Sequence, residues 1–137
     1  MAANSIIEEG SNFTPRFDSD GLIPAVAQDA DTGQILMVGR MNQEALEMTI
    51  KTGCAVYFSR SRQKLWKKGE QSGHFQKVKQ ILVDCDQDCL VLKVKIEAGQ
   101  CHVGYTSCFY RELKQNAPNE LAFIARKTYD AGKTYGK

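Results

Sequence analysis

Leu90-Val91-Leu92-Lys93-Val94-Lys95-Ile96-Glu97 is the most regular stretch of the chain. Successive side chains of an extended backbone point to opposite faces, so Leu92, Val94 and Ile96 share one face and Lys93, Lys95 and Glu97 the other. This is the pattern of a half-buried β-strand. Upstream, Phe75 to Val83 reads as a second strand, separated from the first by Asp84-Cys85-Asp86-Gln87-Asp88-Cys89. Downstream, Ala98-Gly99-Gln100 reads as a turn and Cys101 to Tyr110 as a further strand or loop.

Farther out, Leu22 to Gln28 and Ile35 to Gly39 form a strand pair around the turn residues Asp29-Ala30-Asp31-Thr32-Gly33. Asn42 is placed to cap a short helix with apolar residues Leu46, Met48 and Ile50, stopped by Gly53. Ala55 to Phe58 is a strand ending in Ser59-Arg60-Ser61-Arg62. Trp66 leads into Lys67-Lys68-Gly69-Glu70-Gln71-Ser72-Gly73-His74, which reads as irregular. Leu113 to Ile124 holds one helix or two short elements interrupted by Pro118. Residues 1–20 are polar and aperiodic, with 1–12 expected as a flexible or docking arm. The expected fold is a strand-dominated α+β domain over residues 1–137 with one or two short helices.

A chain of 137 residues, 42% hydrophobic and 25% charged, has the composition of one folded domain. Its net charge of +2 comes without a concentrated basic stripe, which argues against a nucleic-acid partner. No apolar run approaches the roughly 18 residues needed to cross a bilayer, and the start lacks a secretory pattern. No membrane partner is expected, and the expected location is the cytoplasm. Five cysteines there stay reduced, react or bind metal rather than form a disulfide framework.

Two residue sets carry chemistry. Asp84, Asp86 and Asp88 alternate, so in an extended backbone they converge on one face and Cys85 points away. Crowded carboxylates repel, and a hard cation such as magnesium or calcium relieves this. An EF-hand does not fit, because position six would be Cys89 and position twelve Lys95; a solvated acidic turn is the plainer alternative. Cys85, Cys101 and Cys108 lack the paired spacing of zinc ribbons, yet three thiolates and an open position suit a catalytic zinc. Their plainer reading is as small buried hydrophobes, and Cys54 and Cys89 are read as core or bystander positions. His102, beside Cys101, is a candidate proton carrier. Ser59, Arg60, Ser61 and Arg62 offer hydroxyls and guanidinium forks for phosphate. Ser72 and Gly73 offer an anion-binding nest, Trp66 a stacking face, and His74, the other histidine, is grouped with them as a substrate contact. A binding module with structural zinc and a calcium-dependent structural domain are the rival classes.

The opening strand pair is similar to that of Nudix hydrolases, but the Gly- and Glu-rich helix that would follow is missing. Phe13-Thr14-Pro15-Arg16-Phe17, Gly21 to Val26, Met41-Asn42, Glu44-Ala45-Leu46, Ser59 to Arg62, Leu65-Trp66, Lys68-Gly69-Glu70, Ser72-Gly73, Asp84-Cys85-Asp86 with Asp88, Cys101-His102 and Ser107-Cys108-Phe109 occur in a specific order. On them the chain resembles the phosphoribosyl-AMP cyclohydrolases of histidine biosynthesis, over about residues 13–111 with a weaker echo in Tyr135-Gly136-Lys137. The resemblance implies twisted antiparallel sheets forming a pseudobarrel or sandwich, in an intertwined homodimer. It implies magnesium at Asp84, Asp86 and Asp88, and zinc at Cys85, Cys101 and Cys108. One zinc per subunit would be shared across the dimer, Cys85 coming from the partner. The implied substrate is 1-(5-phosphoribosyl)-AMP. Zinc-activated water would attack C6 with His102 moving protons, breaking N1–C6 to give the phosphoribosylformimino-AICAR phosphate.

Overall fold

Residues 2–134 are described by the computed structural model, with side chains from Ile6 onward; Tyr135-Gly136-Lys137 lies outside them. In chain order the elements are α1 (Ala2–Glu9), β1 (Ile23–Asp29), β2 (Ile35–Met41), α2 (Gln43–Thr52), β3 (Val56–Ser59), β4 (Lys64–Lys67), β5 (Lys77–Val83), β6 (Leu90–Lys95), β7 (Arg111–Lys114), β8 (Ala117–Phe123) and α3 (Ala131–Thr134). The principal sheet runs β2-β1-β6-β5, and the pairs β3-β4 and β7-β8 stand apart from it. No closed barrel forms among the described residues.

The alternation around Leu90 becomes β6, with Leu90, Leu92 and Val94 fully buried and Lys95 exposed. β1 alternates in the same way, burying Ile23, Ala25 and Ala27. These two strands lie side by side in parallel, Ala25 opposite Leu90 and Ala27 opposite Leu92. Every other strand pair is antiparallel, as expected. A parallel pair requires a long crossover; here β2, α2, β3, β4 and β5 supply it.

Helix α2 sits where its caps place it. The Asn42 Oδ1 accepts from the Ala45 amide at 2.8 Å, and Gly53, at φ 75°, closes the other end through its amide to the Thr49 carbonyl. Ala45, Leu46 and Thr49, three and four positions apart, form the buried face. Met48 and Ile50, apolar residues of the same helix, lie off this face and are exposed. The buried Thr49 hydroxyl donates to the Ala45 carbonyl and also meets the backbone of Val56, fastening α2 to β3.

Trp66 and Lys67 lie in strand β4, so the stretch read as irregular starts one residue later than expected; Trp66 pairs with Tyr57 across β3-β4, ring centroids 5.1 Å apart. The segment from Leu113 is an antiparallel hairpin. Pro118 falls inside β8, beside an irregularity of register at Leu113/Lys114 where a missing amide donor is tolerated. Cys101 to Tyr110 is loop, and no helix among the described residues is long and apolar enough to cross a membrane.

Candidate functional site

Asp84 to Cys89 is the tight turn joining β5 to β6. The Gln87 amide donates to the Asp84 carbonyl at 3.0 Å and the Asp84 amide to the Cys89 carbonyl at 3.2 Å. This corrects the extended backbone expected here, so the direction of Cys85 does not follow from alternation. The carboxylates nonetheless converge: one oxygen from each of Asp84, Asp86 and Asp88 lies within 4.8 Å of the others. The Asp84 Oδ1 also accepts from the amides of Asp88 and Cys89 at 3.0 and 3.1 Å.

This crowding splits the acidities. Slight burial pushes the Asp84 carboxyl up, but hydrogen bonds from Asp88 and the Cys89 amide outweigh it and leave the carboxyl more acidic than usual. Asp88 moves the opposite way, because it shares hydrogen bonds with Asp86 and Asp84 and feels their charge. Hard oxygen donors at this spacing fit a small divalent cation.

The thiol pair lies beyond the other end of β6. Six strand residues span roughly 20 Å, which separates the acidic turn from the loop carrying Cys101 and Cys108. That loop is pinned to β2. The Cys108 amide donates to the Leu36 carbonyl at 2.7 Å, and the buried Ser107 hydroxyl to the Ile35 carbonyl at 2.6 Å. The Tyr129 hydroxyl donates to the Cys101 carbonyl.

Cys101 is buried, and both it and Cys108 are free thiols close enough for Cys101 to shift the acidity of Cys108. Cys108 is exposed as a whole residue, yet its thiol is partly desolvated. That burial, then the charge and hydrogen bond of Cys101, push it up to about 11, with the Lys68 charge pulling back. Two soft sulfur donors in contact fit zinc. Cys85 is exposed on the acidic turn and does not join them: the aspartates are the one such trio whose ligand atoms lie together among the described residues.

A cavity of about 760 Å³ opens beside the thiols, lined by Met37, Arg62, Trp66, Lys68, Ser72, His102 and Cys108 among others. This is the size of a small-molecule site. Four expected contacts, Arg62, Trp66, Ser72 and His102, therefore meet there. Arg60 instead lines a separate depression of about 390 Å³ with Asp20, Asn42 and Gln63. The Ser59 and Ser61 hydroxyls face each other at 3.4 Å, and Ser59 accepts from the Arg62 amide, shaping the β3-β4 turn.

Of the two amides expected to form an anion nest, that of Gly73 is engaged within the loop. The Gly73 amide donates to the Gly69 carbonyl at 2.7 Å and the His74 amide to the Ser72 hydroxyl at 3.1 Å. His74 serves the loop: its Nδ1 lies 2.5 Å from the Gly99 carbonyl and its ring meets Tyr129 edge-on.

Beneath the thiols runs a buried polar chain that the sequence reading missed. The Tyr57 hydroxyl donates to the Gln76 Oε1 at 2.7 Å, and the Gln76 Nε2 to the Gln100 Oε1 at 3.0 Å. The buried Lys68 donates to the Gln100 carbonyl. Burial, then the charge of Cys108, pushes the Tyr57 hydroxyl well above the usual tyrosine range. Periodicity does not mark a glutamine as interior; the one available signal was the adjacency of Gln100 to Cys101 and of Lys68 to Gly69-Glu70.

A family model described as Phosphoribosyl-AMP cyclohydrolase matches residues 37–110. A protein of that name from Methanococcoides burtonii is 56% identical over 116 residues, covering 85% of this chain and 96% of the relative. Those from Chloroherpeton thalassium and Chlorobium limicola are 53% and 48% identical, covering 89% and 100% of this chain and 86% and 98% of the relatives. The matched region holds the acidic turn, the thiol pair and most of the cavity wall, and the chain belongs to the phosphoribosyl-AMP cyclohydrolase family.

Proposed function

We propose that this enzyme hydrolyses the N1–C6 bond of the adenine ring of 1-(5-phosphoribosyl)-AMP, a step of histidine biosynthesis in the cytoplasm. The observation that carries the reading is the meeting of Arg62, Trp66, His102 and Cys108 on one cavity, with the free thiol of Cys101 near enough to Cys108 to shift its acidity.

Cys101 and Cys108 would hold zinc together with Cys85 of the partner subunit, one zinc per chain. Zinc bound there would supply Lewis-acid activation of water. His102, exposed at the cavity wall, takes a proton from the attacking water and delivers it to N1 as the ring opens. Ribosylation at N1 gives the ring positive character, which makes C6 the better electrophile. Trp66 offers a face for the base and Arg62 a fork for one phosphate. Lys68 contributes a fixed positive charge between thiolates and cavity. Asp84, Asp86 and Asp88 would hold magnesium.

The exposed apolar side chains of the β7-β8 hairpin support a homodimer. Leu113, Leu121, Phe123 and Ile124 are between 49% and 65% exposed, an apolar surface suited to a second copy. The test is an absorbance assay of purine ring opening on zinc-loaded and chelated protein. Turnover should vanish with the metal and return with zinc; turnover in zinc-free protein would overturn the reading.

A further inference from the structure

Gln87 carries no charge, yet it is the most heavily bonded residue of the acidic turn. It is 6% exposed. Its Oε1 accepts from the Thr14 amide at 2.7 Å, and its Nε2 donates to the carbonyls of Ile7 and Asn12 at 3.2 and 3.1 Å. Its own carbonyl accepts from the Arg16 amide at 2.7 Å. Four hydrogen bonds thus tie the turn to residues 7–16, more than seventy positions earlier in the chain. All four partners in that segment are backbone groups; three of the bonds pass through the carboxamide of Gln87 and the fourth through its main-chain carbonyl.

The backbone of Gln87 has φ 60°, a conformation that non-glycine residues seldom adopt unless their surroundings hold them in it. The turn also brings three carboxylates within 4.8 Å of one another, and like charges at that spacing repel. From inside, Asp84 braces the turn through the amides of Asp88 and Cys89. From outside, the bracing comes through Gln87.

We infer that Gln87 is a positioning residue for the cation site, and that residues 7–16 are the strap it grips. Docking of the strap and binding of a divalent cation by Asp84, Asp86 and Asp88 stabilise the same turn, so each strengthens the other by the same factor. The inference rests on the aspartates being the magnesium site proposed above.

The test uses the full-length, zinc-loaded protein and manganese as the probe. Glycine accepts a positive φ without strain, so Gln87→Gly removes the three carboxamide bonds to the strap while easing the backbone, and leaves the carbonyl bond to Arg16 in place. Manganese affinity, read by electron paramagnetic resonance, should fall about tenfold in this variant, a typical coupling between linked sites. In the unaltered protein, magnesium should slow hydrogen exchange at the Thr14 and Arg16 amides, an effect a merely structural glutamine would not give. Equal manganese affinity, or exchange at those amides indifferent to magnesium, overturns the strap. Should Gln87→Gly fail to fold, the exchange measurement decides alone. Manganese bound no more tightly by the unaltered protein than by Asp86→Asn would instead defeat the magnesium site, and the strap with it.

Discussion

The buried ammonium of Lys68 donates to the carbonyl oxygen of Gln100 at 2.8 Å. This bond ties the end of β4 to the residue before Cys101 and fixes a positive charge where it favours the ionised form of Cys108. Lys68→Met keeps the bulk and removes the charge. The thiolates then lose a stabilising neighbour, and zinc affinity should fall on the order of tenfold, or about 1.4 kcal/mol. Competition with a chromophoric chelator reads this directly; unchanged affinity would show that the charge does not serve the thiols.

His102 lines the cavity beside Cys108. His102→Ala should retain zinc and cut kcat by about 100-fold, the size of a lost proton-transfer group. Zinc content measured beside kcat separates this from a metal-binding role. Full turnover would remove His102 from the chemistry.

Arg60 and Arg62, two residues apart, face different hollows. Arg62→Ala should raise KM about tenfold, as for a lost charged contact to phosphate, whereas Arg60→Ala should leave KM nearly unchanged. Equal effects on KM would contradict the division.

Cys108 ionises at about 11 instead of 9.0 in the metal-free protein. Below the lower value, folded and unfolded chains both keep the proton. Between the two values the unfolded chain alone gives it up, so stability falls as pH climbs through that window. The urea midpoint of metal-free protein should be lower at alkaline pH than at neutral pH, and the decline should shrink in Cys108→Ala. An identical decline in both proteins would assign the effect elsewhere.

Local chemistry was legible in the sequence. Asn42 and Gly53 bound α2 because a cap needs only its immediate neighbours. β6 followed from alternation over a few residues. The parallel pairing of β1 with β6 was not legible, since it joins segments separated by four strands and a helix. The acidic turn misled for another reason. Alternating aspartates fit an extended strand, but Gln87 at positive φ and the Asp84 bonds to Asp88 and Cys89 make a turn that gathers the same carboxylates. At the site, Cys101, Cys108 and His102 could be named from their types and order, whereas Gln76 and Gln100 owe their roles to burial.

The central claim is that each zinc is held by Cys101 and Cys108 of one chain and Cys85 of another. Cys85→Ala and Cys101→Ala proteins should each be free of zinc and inactive as homodimers. Unfolded together and refolded as mixed dimers, they leave one of the two sites with all three thiols. Mixed dimers holding one zinc and turning over at about half the normal rate per dimer are the predicted result, assuming independent sites. Mixed dimers without zinc would contradict the shared site.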